Sequence, residues 1–156
     1  MTHSIRTVLW FRDGRGAEAA AFYCSLIPGS QIGRSFTGDA GAGAFTVIDF
    51  TLAGVPYQIL DAGPHFTLSE AISIAVATET QAETDRLWAA LTADGGQESV
   101  CGWLKDRFGL SWQIYPKRLT ELTLHPDKAI SARAMAAMMT MKKIDIAAVE
   151  AAAVAG

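Results

Sequence analysis

The feature that most constrains the fold is an internal repeat. Residues 54–60 read GVPYQIL and residues 109–115 read GLSWQIY, so both follow the order glycine, aliphatic, any residue, aromatic, glutamine, isoleucine. Residues 17–26 match residues 82–91 in the same way, because both begin with Ala-Glu and carry an aromatic residue and a leucine at equivalent places. The repeat predicts two copies of one supersecondary unit.

Segments typical of strands and helices follow one another in the same order in both halves. The first half has strand candidates at 5–11, 31–36, 45–52 and 55–60 and a helix candidate at 17–27. The second half has strand candidates at 71–77, 98–105 and 110–115 and a helix candidate at 81–94. Its fourth strand is inferred near Gln97 from the repeat alone, so each half is predicted to be a βαβββ module.

A four-stranded module has one apolar face and two exposed edges, so it is not expected to be stable alone. Two copies side by side predict an α+β fold with one curved, mixed, eight-stranded sheet around a cavity. The alternative is that the two copies merely pack together as a core. We expect a single domain over 1–156, with modules at 1–64 and 65–117 and a helical tail at 118–156, because no proline-rich linker separates them.

The tail is predicted to contain helices at 118–124, 128–141 and 144–154, with Asp145 as the N-cap of the last. The middle helix carries four methionines, Met135, Met138, Met139 and Met141, among alanines. An apolar stripe of this kind must be covered, either by the protein's own sheet or by a second subunit.

Charge and composition exclude several classes of partner. The formal net charge is -3 and the isoelectric point is near 5.5, whereas nucleic-acid binding requires a basic face. Charged residues interrupt every apolar run before the roughly 20 residues that a membrane helix needs. The N-terminus lacks the pattern of a secretory signal, so we expect a cytoplasmic protein. Cys24 and Cys101 form no CxxC pair, and free thiols are expected.

Several short segments resemble one known family. They are LWF at 9–11, AAFY at 20–23, GPHF at 63–66, SEAIS at 69–73, DRLW at 85–88, CGWLKDRFGLSWQI at 101–114 and MKKID at 141–145. With them the chain resembles the vicinal-oxygen-chelate (VOC; glyoxalase/bleomycin-resistance/dioxygenase) superfamily. Within it, the chain resembles the PhnB-like group that is often labelled 3-demethylubiquinone-9 3-methyltransferase. The resemblance covers nearly the whole chain and implies a fold of paired βαβββ modules and a homodimer.

The methyltransferase label implies an S-adenosylmethionine site, which usually has a glycine-rich turn after the first strand of a parallel sheet. Gly14 and Gly16 have neither the spacing nor the context of such a turn. Methyl transfer is therefore not expected from the sequence.

The superfamily also implies a possible metal site, since its metal-dependent members place His, Gln or Glu on facing strands of the two halves. By this resemblance Gln113 stands where a ligand Glu follows the turn at 106–109, and Gln58 is its counterpart in the first half. Two neutral amides are weak ligands for a divalent ion. The first strands of the halves offer no clear ligand, so we expect no tightly bound metal ion and no other cofactor.

The same two glutamines are candidate ligand contacts. Gln58 and Gln113 are predicted to point into the cavity and to hydrogen-bond a carbonyl or hydroxyl group of a ligand. Alternatively, they bond each other or buried water, because a buried amide must be paired. Trp10, Trp103 and Trp112 are candidate flat walls for an aromatic ligand, and simple core packing is the alternative for each.

Candidates for catalysis are Glu70, His65 and Cys101, and Lys105 is a further ligand-binding candidate. A carboxylate beside His65 at a cavity mouth is suited to act as a general base, although such charges are more often solvated strand ends. His65 is the only histidine between the two halves, while His3 lies near the terminus. Cys101 has no basic neighbour in sequence, so it is interpreted by default as a buried thiol.

Three functions are consistent with these features. The first is binding of a small hydrophobic or aromatic molecule without a tightly held metal ion. The second is a metal-dependent lyase, isomerase or dioxygenase with ligands other than those named above. The third is an association module that uses the methionine-rich tail and has a filled cavity. No reaction is identified by the sequence.

Overall fold

The computed structural model describes residues 4–39, 41 and 43–155. The chain divides into two compact units, unit one (Met1–Leu68) and unit two (Ser69–Gly156). His3 lies outside the described residues.

Unit one is a βαβββ module, as the repeat predicts. Its elements are β1 (Thr7–Phe11), α1 (Gly16–Leu26), β2 (Gln31–Asp39), β3 (Ala44–Leu52) and β4 (Val55–Asp61). The strand order is β1-β4-β3-β2, with β1 parallel to β4 and the other neighbours antiparallel. The four strands therefore form one mixed sheet.

Alternation along the strands gives this sheet one face for α1 and one open face. Leu9, Phe50 and Ile59 are buried on one face of the sheet, and the ring of Tyr23 on α1 lies 6.4 Å from that of Phe50. Burying each large apolar side chain contributes about 1.5–3 kcal/mol. The open face carries the residues between them: Val8, Trp10, Val47, Asp49 and Gln58.

The start of α1 is held by a side chain from a distant strand. Asp61 accepts hydrogen bonds from the backbone N–H of Gly14 at 3.1 Å and of Gly16 at 2.8 Å. Gly16 has no room for a side chain, because a Cβ would lie 2.7 Å from the Cγ2 atom of Ile59. The glycines that break the first predicted strand therefore also bring the helix against β4.

Unit two contains the second module. Its elements are β5 (Ser73–Thr78), α2 (Gln81–Thr92), β6 (Gln97–Glu98), β7 (Trp103–Lys105) and β8 (Ser111–Pro116). The strand order β5-β8-β7-β6 repeats that of unit one, with the parallel pair again at the first strand. The short strand expected near Gln97 is β6, so this inference from the repeat is confirmed.

One predicted strand, 98–105, is interrupted. Residues 99–102 are not part of a strand, and Cys101 (φ 57°) and Gly102 (φ 83°) adopt left-handed backbone conformations. The backbone N–H groups of these two residues donate to Met141 and Lys142 of the tail, each at 2.7 Å. The prediction was wrong here because contacts with a distant segment replace the strand ladder.

The tail contains α3 (Lys117–Thr123), α4 (Lys128–Met139) and α5 (Ile146–Val154). Asp145 caps α5 by accepting from the N–H of Ala148 at 3.2 Å, as predicted. The three helices share an apolar cluster of Leu119, Leu122, Ala134, Ile144, Val149 and Ala153. Met138 and Met141 pack against this cluster, whereas Met135 and Met139 are exposed.

Together these elements confirm an α+β fold with two βαβββ modules and a helical tail. Hydrogen bonds between strands run within two four-stranded mixed sheets. The expectation that both halves enclose one cavity stays a prediction. No helix within the described part of the chain is long and apolar enough to cross a bilayer.

Candidate functional site

The open face of the unit-two sheet carries a row of polar and aromatic side chains. Trp103 lies opposite Gln113, and Lys105 lies opposite Ser111, in the antiparallel pair β7–β8. Opposed residues in such a pair point to the same face, with Cβ atoms about 4.5–5.5 Å apart. Their strand neighbours, such as Trp112, turn to the other face, toward α2.

A cavity of about 360 Å³ lies against this row. Its lining includes three residues singled out in the sequence, Glu70, Trp103 and Lys105, and two that were not, Gln97 and Ser111. The volume is within the range of small-molecule pockets, which mix apolar walls with a few polar groups.

Ser111 is the unusual residue of this cavity. It is only 1% exposed, and its Oγ atom has no hydrogen-bond partner in residues 4–39, 41 and 43–155. Burying a hydroxyl without a hydrogen bond lowers the stability of the fold by roughly 1–3 kcal/mol. A bound water molecule or ligand that accepts its hydrogen bond would recover this loss. The only signal in the sequence was a serine at the place that Pro56 occupies in the first copy of the repeat.

Glu70 and Lys105 form an ion pair, with 2.5 Å between Lys105 Nζ and Glu70 Oε1. Hydrogen bonds from Lys105 and from the backbone hold the pKa of Glu70 below its usual range. A general base near neutral pH needs a carboxyl pKa shifted upward instead. The ion pair does not supply such an upward shift, and the role of Glu70 as a base stays a prediction.

The two glutamines are each paired within their own unit. Gln113 donates from Nε2 to the hydroxyl of Ser73 at 2.8 Å, and Gln58 donates from Nε2 to Asp49 at 2.8 Å. Each amide NH₂ group therefore already donates a hydrogen bond within the protein. A ligand donor would bind the side-chain carbonyl oxygen of either glutamine.

Asp49 is the centre of a charged cluster on the open face of the unit-one sheet. Arg6 donates to it at 2.8 Å, and Arg34 lies 3.6 Å from its other oxygen. The hydrogen bond from Gln58, assisted by the charge of Arg6, lowers the pKa of Asp49 although partial burial opposes this. Gln58 was predicted as a ligand contact, but its Asp49 partner was not anticipated.

The tryptophans fall into three different environments. Trp10 donates from Nε1 to the carbonyl of Gly63 at 2.9 Å and meets the ring of Phe66 edge-on at a centroid distance of 4.8 Å. Trp112 is fully buried and donates to Asp106 at 2.8 Å, which matches the core-packing alternative. Trp103 alone lines the unit-two cavity, so we retain only this tryptophan in the site.

The remaining catalytic candidates have contacts of their own. The His65 ring lies edge-on to Trp10, with the centroids 6.1 Å apart. Cys101 is partly exposed and not buried as expected, because it sits in the left-handed turn after residue 100. Its Sγ atom lies 3.5 Å from Sδ of Met139, and no basic side chain of the described residues is hydrogen-bonded to it. Nothing in this arrangement activates the thiol as a nucleophile.

The residues present do not fit a divalent-ion site. In the described ranges no three His, Cys, Asp or Glu side chains converge. The two glutamines at the positions suggested by the superfamily offer only neutral carbonyl oxygens, since their amide nitrogens donate to Asp49 and Ser73. A stable site for Mg²⁺, Mn²⁺ or Zn²⁺ needs charged or imidazole ligands that these residues do not supply.

The segment 141–146, between α4 and the start of α5, holds one wall of the cavity in place. Its carbonyls bind the N–H groups of Cys101 and Gly102, next to the lining residues Ser99 and Val100. Gln81 on α2 clamps the segment from the other side, donating to Ile144 at 2.9 Å and accepting from Ile146 at 3.0 Å. The tail therefore positions the turn that lines the cavity.

Comparison with known proteins identifies relatives over the two modules. Residues 3–115 match the family described as 3-demethylubiquinone-9 3-methyltransferase. The solved PhnB protein from Bacillus cereus is 32% identical, with a TM-score of 0.64, and the alignment covers 73% of this chain and 98% of that chain. The family match ends at residue 115, so α3, α4 and α5 lie beyond it.

Two more distant structures share the fold alone. Protein PA1353 from Pseudomonas aeruginosa is 20% identical with a TM-score of 0.61, covering 74% of this chain and 98% of that one. The fosfomycin resistance protein FosX from Listeria monocytogenes, solved with Mn(II) and sulfate, is 17% identical with a TM-score of 0.51, covering 72% and 89%. No curated protein matches the chain.

Proposed function

This chain belongs to the family described as 3-demethylubiquinone-9 3-methyltransferase, the PhnB-like group of the VOC superfamily, and we propose that it binds a small organic molecule. The proposed site is the unit-two cavity with Trp103, Lys105, Glu70 and Ser111. Gln113 lies on the same face, two residues along β8 from Ser111. The ligand is hydrophobic or aromatic, and no tightly held metal ion takes part.

The observation that carries this proposal is the unpaired hydroxyl of Ser111. A buried Oγ atom without a partner, beside a cavity of about 360 Å³, supports a site that a ligand completes. Trp103 supplies an aromatic wall and Lys105 a fixed charge. An open cavity of this size also favours ligand binding over an association module with a filled cavity.

Methyl transfer is not part of the proposal. The turn with Gly14 and Gly16 after β1 is the segment that was compared with an S-adenosylmethionine site. Its backbone N–H groups already bind a side chain of the protein. The N–H groups of Gly14 and Gly16 are bonded to Asp61, and a Cβ at Gly16 would collide with Ile59. The residues present therefore do not fit that cofactor at this turn.

The binding experiment is a screen of aromatic fragments by amide NMR with isotope-labelled protein. Fragments are expected to shift the resonances of residues 97–105 and 111, and Ser111→Ala is expected to weaken binding about 2–12-fold, since a net hydrogen bond contributes about 0.5–1.5 kcal/mol. Ser25→Ala, which removes an exposed hydroxyl bonded to Phe22 on α1, is the matched control and should bind normally. A library that shifts no resonance in 97–105 or 111 would refute the proposed site.

Metal content distinguishes this proposal from the alternative of a metal-dependent enzyme. That alternative is considered because FosX was solved with Mn(II). Protein purified without an affinity tag is expected to contain no stoichiometric ion. Calorimetric titration with Mn²⁺, Ni²⁺ and Zn²⁺ should give no binding at micromolar concentration. Micromolar binding that is lost in Gln58→Ala and Gln113→Ala variants would overturn the metal-free proposal and support metal-dependent chemistry.

The homodimer, the single-domain organisation and the cytoplasmic location expected from the sequence stay predictions. The exposed Met135 and Met139 on α4 support association through the tail, because Met138 and Met141 are already covered by the tail's own cluster.

A further inference from the structure

Lys105 and Ser111 form a two-point receptor in the cavity. They are direct cross-strand partners in β7–β8, and both side chains belong to the open face of the sheet. Such neighbours have Cβ atoms about 4.5–5.5 Å apart, so an ammonium and a hydroxyl can reach the same small group. Ser111 is almost completely buried and its hydroxyl is unpaired, while the Lys105 side chain is 32% exposed.

The charge of Lys105 is balanced by the carboxylate of Glu70, which a ligand can displace at little energetic cost. Glu70 belongs to the loop before β5, and its side chain is 66% exposed. Exposed ion pairs contribute little to stability, so releasing this one costs little. The other acidic group of the lining, Glu98, is held by Trp88 at 2.9 Å and by Lys142 at 3.3 Å and does not compete for Lys105.

We propose that the cavity takes an organic carboxylate with an apolar or aromatic body, and that Glu70 occupies the place of the ligand's carboxylate on Lys105 when no ligand is bound. This inference rests on the proposed function and names its ligand class. On binding, the ligand carboxylate replaces Glu70 on Lys105 and accepts the hydrogen bond of the Ser111 hydroxyl. The body of the ligand lies against Trp103.

The donor set argues for a carboxylate over other charged groups. Phosphate esters carry up to two charges over three oxygens and are usually held by arginine forks or several backbone N–H groups. Among the described residues that line this cavity, Lys105 is the one cationic side chain, and Ser111 lies directly opposite it, which suits two oxygens and a single charge. A cationic ligand would have to lie beside Lys105, which repels it.

The experiment is calorimetric titration with phenylacetate and with its neutral counterpart phenylacetamide. In wild-type protein we expect the acid to bind more tightly than the amide. Glu70→Gln removes the competing carboxylate and is expected to strengthen phenylacetate binding about two- to fivefold, with phenylacetamide binding unchanged, because an exposed ion pair contributes little. Lys105→Gln is expected to abolish the preference for the acid. Glu121→Gln, which removes another exposed ion-pair carboxylate, is the matched control and should change neither affinity.

Two results would overturn the inference. One is phenylacetamide binding as tightly as phenylacetate in both wild type and Glu70→Gln. The other is no gain in phenylacetate affinity in the Glu70→Gln protein. In either case, fragments that still shift residues 97–105 and 111 would leave the proposed function standing. Both changed side chains are exposed or partly exposed, so circular dichroism should show folded variants and the comparison stays interpretable.

Discussion

Replacement of Asp106 by alanine is expected to lower the free energy of unfolding by about 3–5 kcal/mol. Asp106 is 3% exposed and accepts from the N–H groups of Phe108 at 2.8 Å and Leu110 at 3.1 Å, and from Trp112 Nε1 at 2.8 Å. Alanine leaves three donors without this acceptor, two of them buried, at the turn that joins β7 to β8. Urea unfolding followed by circular dichroism measures the change.

Two further variants make this prediction specific. Asp106→Asn keeps one acceptor oxygen and the same shape, so it should lose less stability than alanine. Asp127→Ala removes an exposed carboxylate that caps α4 through Ala129 at 2.8 Å, and it should cost about 1 kcal/mol. If Asp106→Ala destabilises no more than Asp127→Ala, the carboxylate is not the centre of the turn.

The second large effect is expected from Gly102→Ala, which should cost about 2–4 kcal/mol. Gly102 has φ +83°, and a Cβ there would lie 2.8 Å from the carbonyl oxygen of Ile114 and 3.3 Å from Cγ1 of Ile144. The variant must both adopt a left-handed backbone with a side chain and move residue 102 away from Ile114 of β8 and from Ile144 of the tail. Thermal and urea unfolding should both report the loss.

Gly54→Ala is the matched control for this variant. Gly54 has the same φ of +83°, but nothing lies within 4 Å of an added Cβ. It should therefore cost only about 1–2 kcal/mol, the price of the backbone strain alone. Equal losses in the two variants would mean that the close approach of residue 102 to Ile114 and Ile144 contributes nothing.

The Gly102 variant also tests the link between the tail and the cavity. Ser99 and Val100 line the cavity, and the turn that follows them is held by the carbonyls of Met141 and Lys142. This link was beyond sequence analysis, because hydrogen bonds between segments about forty residues apart leave no local pattern. The predicted strand 98–105 failed for the same reason, since the alternation in sequence carries no record of a partner outside the sheet.

Some residues of the candidate cavity could be chosen from the sequence, where chemistry and position in the repeat coincided. Glu70, Trp103 and Lys105 were singled out from the sequence, and all three line one cavity. Ser111 was missed, because its importance lies in a missing partner and that is a property of the packed structure alone. Gln58 was chosen from the repeat, but its partner Asp49 follows from the register of β3 against β4.

The sequence by itself determined the two βαβββ modules, the short strand at Gln97, the cap at Asp145 and the family. The modules and the short strand depend on local periodicity and on the repeat, the cap depends on the residue type at a helix start, and the family depends on resemblance of motifs such as residues 101–114. Only the tertiary structure decided which polar groups are paired, that Trp112 packs in the core while Trp103 lines a cavity, and that the tail holds the cavity wall. Those outcomes depend on contacts between residues distant in sequence, where burial and hydrogen-bond geometry assign each side chain its partner.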